Sequence, residues 1–179
     1  MSTETALKLY KESPLARTLL NEIHFQGEVT LEIELAQLRE TLIFFKETQD
    51  SGYAVLMDLT AVDYLLPQTR TKIVYWLHNP QNLTRLRIVV HVARDEELPS
   101  VVDIWGGADW YERELFDLFG IRVIGHPDLQ RILMPDDWQG HPLRKDYPLT
   151  EERVAFDFGV QPKIPSEVIC IKENQKMNH

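Results

Sequence analysis

The chain has 179 residues, enough for one domain with a real core and little room for two. It is 44% hydrophobic and 26% charged, the balance of an ordinary soluble globular protein. A net charge of −9 argues against nucleic-acid binding, and the single cysteine, Cys170, excludes an internal disulfide and any Cys-rich zinc or iron–sulfur site held by this chain alone.

No apolar run approaches the ~20 residues that a membrane span needs, and the start, MSTETALKLYKESPL, has no apolar signal region. The expectation is a cytosolic protein, or one that meets a membrane only through partners.

In chain order, Ser13 and Pro14 read as the cap and first position of a helix whose face carries Leu15, Leu19, Leu20 and Ile23, broken at Gly27. Val29, Leu31 and Ile33 alternate with polar residues as a half-buried strand does. Leu35, Leu38, Leu42 and Phe45 recur at helical spacing, which predicts an amphipathic helix over 35–49, stopped near Gly52. Three strands follow, at Tyr53 to Val62, Thr71 to His78 and Leu86 to Val92, joined by Pro-containing loops that favour antiparallel hairpins. The pattern predicts an α+β fold: one mainly antiparallel sheet covered by helices.

Ser100 and Asp103 read as a second cap, and Asp109 with Glu112 as a third, opening a helix over 110–119 that Gly120 terminates. Beyond Ile121 the texture changes. Six of the ten prolines fall there, which rules out long helices, while Leu129, Ile132, Leu133, Met134, Trp138 and Leu143 keep the stretch apolar enough to bury. Residues 1–120 are therefore read as the core domain and 121–179 as an extended arm. Ordering about 45 arm residues costs on the order of 1–2 kcal/mol each. Burying about 3,000 Å² at ~25 cal/mol per Å² returns tens of kcal/mol, so the arm is expected to gain its order by wrapping a partner.

The residues offer little catalytic chemistry. Glu112, Arg113, Glu114 and Asp117 form the densest charged run, but the cap and an Arg113–Asp117 pair one turn apart account for it better than an acid–base pair. His126, Asp128, Asp136, Asp137 and His141 have ligand chemistry without metal-site spacing; a stand-alone metal-dependent hydrolase using His126, His141 and Asp136 or Asp137 is the rival reading. Arg144, Lys145 and Asp146 read either as a self-paired turn or as a partner contact. Trp105, Trp110 and Trp138 are expected as packing anchors before a ligand platform. His24, His78 and His91 are expected to be structural. There is no phosphate-binding glycine loop and no nucleophile elbow.

One long ungapped pattern remains: Glu112-Arg113-Glu114, Asp117, Gly120, His126-Pro127, Leu129, Arg131-Ile132-Leu133, and Gly140-His141-Pro142-Leu143-Arg144-Lys145-Asp146-Tyr147-Pro148. Upstream lie Thr60-Ala61-Val62-Asp63-Tyr64, Val74-Tyr75-Trp76-Leu77 and Pro99-Ser100-Val101. Over residues 28–150 the chain resembles the 30 kDa (C) subunit of the proton-translocating NADH–quinone oxidoreductase, respiratory complex I. The resemblance implies a peripheral-arm subunit on the cytoplasmic side of the bacterial inner membrane, with no catalytic residue and no cofactor or metal of its own. FMN, the iron–sulfur clusters, NADH and quinone would belong to other subunits. It implies packing against the quinone-site (D) subunit, near the cluster-bearing B and I subunits, with membrane contact only through the complex. The motif residues, together with Trp138, are then interface and folding contacts. An end at His179 fits the separate form rather than the form fused to the quinone-site subunit. Related subunits occur in photosynthetic NDH, F420H2 dehydrogenases and membrane-bound hydrogenases, so the electron donor is not readable from this chain.

Overall fold

The computed structural model describes residues 3–48, 52–64, 71–94 and 96–148. The fold is α+β, built on one five-stranded sheet in the order β1 (Leu19–Phe25), β2 (Glu28–Ile33), β5 (Thr84–Val92), β4 (Thr71–Asn79), β3 (Val55–Asp63). Strands β3 (Val55–Asp63), β4 (Thr71–Asn79) and β5 (Thr84–Val92) form the expected antiparallel meander. Strand β2 (Glu28–Ile33) then pairs with β5 in parallel, through Val29 to Glu32 against Leu86 to Val89.

The helix expected from Pro14 is not formed as one. A 3₁₀ turn spans Pro14–Thr18, and Leu19–Phe25 is strand β1. The reason lies at Gln26 and Gly27, with φ of 50° and 81°. Two successive left-handed residues make the tight turn that matches strand twist, so β1 folds back antiparallel on β2. Ser13 does not cap with its side chain; its hydroxyl donates to the Tyr10 carbonyl at 2.6 Å.

Helix α1 (Thr3–Glu12) buries Ala6, Leu7 and Tyr10. Helix α2 (Leu38–Glu47), preceded by a 3₁₀ turn at Leu35–Gln37, buries Leu38, Leu42 and Phe45. Both stripes join one core with Val29, Leu31, Ile33, Leu59, Ile73, Tyr75, Leu77, Leu86, Ile88 and Val90. Because strand side chains alternate, the other sheet face is different, a charged surface around the buried pair Val74 and Val89: Arg87 lies 4.0 Å over the Trp76 ring, and Glu28 and Glu32 pair with Arg87 and Lys72.

After β5 the chain forms β6 (Leu98–Pro99), helix α3 (Ala108–Glu114), a π turn (Leu115–Phe119) and β7 (Val123–Ile124), which pairs in parallel with β6. Residues 121–148, here called the strap, then run irregularly over α3. Residues 149–179 of the expected arm lie outside the described residues.

Candidate functional site: the strap and the helix it covers

Helix α3 starts after Gly107, and Asp109 lies inside its first turn. The expected Asp109–Glu112 cap therefore does not form. Glu112 is fully buried. One carboxylate oxygen accepts the Val101 N–H at 2.6 Å and the other the Ser100 hydroxyl at 2.7 Å. The residue thus ties α3 to the β6 connection rather than to its own helix start. Burial pushes its carboxyl above the ordinary value, and the two hydrogen bonds only partly offset this. The Tyr75 hydroxyl, also fully buried, is raised well above its usual value by burial and by the Glu112 charge. The second expected cap forms only in half: the Ser100 hydroxyl accepts the Val102 N–H at 3.3 Å, but Asp103 makes a bidentate pair with Arg39, at 2.9 and 2.6 Å, and Arg39 also donates to the Ser100 carbonyl.

Asp117 is the hub of the strap. Its side chain is wholly buried and faces the strap rather than Arg113. Oδ2 accepts the backbone N–H groups of Ile132, Leu133 and Met134 at 3.0, 2.7 and 2.8 Å. Oδ1 accepts Arg131 Nη1 at 2.6 Å. Burial pushes the carboxyl up, but these N–H groups and Arg131 together outweigh it and hold the group below the usual carboxylate range. The expected Arg113–Asp117 pair is replaced: Arg113 donates to the Gln130 and Arg131 carbonyls at 3.2 and 3.0 Å.

The strap also caps the helix. A helix end leaves carbonyls without intrahelical partners. Gly120 ends this one with φ of 71°, as expected for a left-handed terminator. The Asp117 carbonyl then receives His141 Nδ1 at 2.9 Å, and the Leu118 carbonyl receives the Leu143 N–H at 3.0 Å. A Cβ on Gly120 would stand 2.5 Å from the His141 ring, so the close approach requires glycine. At the helix start, the buried His126 ring places Nε2 3.2 Å from the Asp109 carbonyl, while Nδ1 accepts the Asp128 N–H at 3.0 Å. That second bond assigns the proton to Nε2.

Farther along, Arg131 also reaches the Gly140 carbonyl at 3.1 Å. Trp138 stacks on Tyr147 at 6.5 Å between ring centroids. Asp146 is shared by Arg144, within the turn, and Arg94, from just beyond β5, so one of the two readings of this turn, mutual ion pairing, is present in the fold. The Lys145 N–H donates to Asp63 at the end of β3, at 2.8 Å. Pro142 is half-buried, and Pro127 lines a shallow groove with Arg39, Asp103 and Ile124. Trp105 is the expected anchor, buried and bonded to the Ala54 carbonyl, whereas Trp110 is 60% exposed. His24 pairs with Glu22 on the surface, and His78 faces the Thr84 carbonyl.

Among the described residues no three His, Cys, Asp or Glu side chains converge as a metal site. His126 and His141 serve opposite ends of one helix, so the hydrolase reading has no ligand set to stand on there. Sequence reasoning missed Asp63, Arg94, Arg39 and Ser100 as members of this network. Asp63 had a signal, in the Thr60 to Tyr64 run; Arg94 had none, because its partner is 52 residues away.

The fold has a counterpart among solved structures. A chain from the structure of the membrane-bound sulfane sulfur reductase, an archaeal respiratory membrane complex, is similar over 88% of this chain and 97% of its own, with TM-score 0.70 and 22% identity. The family is shown by sequence: residues 31–153 match the model of the respiratory-chain NADH dehydrogenase 30 Kd subunit, and the chain belongs to that family. Curated relatives are named as the C subunit of NADH-quinone oxidoreductase. The one from Roseiflexus castenholzii is 40% identical over 82% of this chain and 85% of its own length. That from Citrifermentans bemidjiense is 44% identical over 75% and 83%, and that from Brucella ovis 43% over 69% and 61%. Among the described residues no helix is long and apolar enough to cross a membrane.

Proposed function

We propose that the chain is a brace of the peripheral arm of respiratory complex I, holding its neighbours in position while they carry out electron transfer. Its strap packs against the quinone-site (D) subunit, close to the cluster-bearing B and I subunits. Electrons pass from NADH through FMN and iron–sulfur clusters to quinone on those other chains, coupled to proton translocation. The chain binds no flavin, cluster or metal itself and reaches the cytoplasmic face of the membrane only through the complex. The electron donor belongs to other subunits, so an equivalent place in a related complex uses the same surfaces.

One observation carries this reading. Glu112, Arg113, Asp117, His126, Arg131 and His141 are engaged with the chain's own backbone and side chains. Groups engaged in this way shape a surface and are not poised for proton transfer. That surface carries outward-facing apolar residues, with Leu133 57% and Leu143 49% exposed, and rigid apolar features of this kind are what a stable subunit contact needs. Affinity capture of the tagged chain from solubilised membranes is the test. Recovery of the flavin- and cluster-bearing subunits in stoichiometric amount is expected; recovery of the chain alone contradicts the proposal.

A further inference from the structure

Among the described residues, Glu114 is the one charged side chain of the Glu112-to-Asp117 run that has no hydrogen-bond or ion-pair partner. It is half-buried. No donor within the described fold satisfies its carboxylate charge. Trp110 stands one helical turn earlier on the same face of α3 and is 60% exposed. Arg113 does not neutralise Glu114. Its guanidinium lies 5.3 Å from the Trp110 ring centroid, and its N–H groups are directed to the Gln130 and Arg131 carbonyls of the strap.

An exposed indole beside a carboxylate with no donor of its own is ready for a cation. The carboxylate supplies charge-assisted hydrogen bonds, and the exposed part of the indole supplies apolar cover for the stem of the basic side chain. Tryptophan is also enriched among the residues that dominate binding energy at protein interfaces. We infer that Trp110 and Glu114 form a receptor for one basic side chain, an arginine or a lysine, presented by a neighbouring subunit. This rests on the subunit reading above and adds the chemistry of the contact. The contact sits beside the strap, because Arg113 joins the same turn of α3 to residues 130 and 131.

The complex is captured through a tag on this chain from membranes carrying wild type, Glu114→Gln, Glu114→Lys or Trp110→Ala, and the recovered partners are quantified. Glu114→Lys is expected to lower partner recovery at least about tenfold, and Glu114→Gln and Trp110→Ala several-fold, since both partners of a desolvated interfacial charge pair are needed. The thermal midpoint of the isolated Glu114 variants is expected to match wild type, because the side chain has no partner within the described fold. Wild-type recovery with Glu114→Lys overturns the inference. Full recovery with Glu114→Gln overturns it too, since the carboxylate charge is then not read. A midpoint lowered in step with assembly assigns the residue to folding and overturns it equally. If the wild-type chain captures no respiratory subunit, the subunit reading fails first and this one falls with it.

Discussion

Asp117 and Glu112 are buried carboxylates five residues apart with opposite electrostatics. Asp117 collects three backbone N–H groups and Arg131, and its carboxyl is held low; Glu112 collects two donors, and burial holds its carboxyl high. The consequences for pH follow from linkage. Asp117, depressed in the fold, adds stability that is present above its unfolded value and lost as pH falls through its folded one. Glu112, raised in the fold, adds stability that is present below its unfolded value and lost as pH rises through its folded one. Asp117→Asn is expected to destabilise the isolated chain by about 3–5 kcal/mol at neutral pH, because it strands the Arg131 charge. The deficit should shrink as pH falls below the ordinary carboxylate range and through the lowered value of the folded wild-type carboxyl, where its charge is lost. Glu112→Gln should flatten the loss of stability on raising pH towards neutrality. Urea unfolding across pH measures both, and a deficit for Asp117→Asn that is constant with pH contradicts the assignment.

At the scale of elements, the end of α3 and the strap are one unit. The helix leaves the Asp117 and Leu118 carbonyls open, and His141 and Leu143 close them. Gly120→Ala places a methyl in the His141 ring at a left-handed φ. The expected loss is about 2–3 kcal/mol, above the ~1 kcal/mol that the backbone term alone gives. Thermal unfolding checks it, and a loss of only the backbone size shows that the ring moves aside at no cost. This unit also shows what the sequence could and could not convey. The three-strand meander was legible because β-branched alternation is a local signal, and Gly120 was legible because a helix terminator needs a left-handed residue. The Arg113–Asp117 pair was misread because spacing rules assume an α turn throughout, whereas Leu115–Phe119 is a wider π turn in which residue 117 faces a different direction. The Asp117 hub was invisible for another reason: its donors are backbone N–H groups 15 to 17 residues away, and any side chain can stand at those positions. Leu15, Leu19, Leu20 and Ile23 read as a helix face because their i, i+4, i+5, i+8 spacing is helical, but the turn at Gln26-Gly27 decides for a strand that leaves Leu20 and Ile23 exposed. Helix α1 was passed over although Ala6, Leu7 and Tyr10 carry the spacing.

For the whole molecule, the strap changes the balance drawn from the sequence. The ordering cost of residues 121–148 is met in part inside this chain, by Asp117, Arg113, Arg94 and Asp63 acting on backbone or side chains of the strap. A strap fixed in this way is a preformed surface, which lowers the entropy lost when subunits associate. On this account a broken hub loosens the docking surface and lowers the amount of complex, while the complexes that do form keep their chemistry. The direct test uses membranes of a strain carrying Asp117→Ala, with assembled complex counted by bound flavin and quinone reduction measured per flavin. The account predicts several-fold less assembled complex with an unchanged rate per flavin; normal assembly with lost quinone reduction would contradict it.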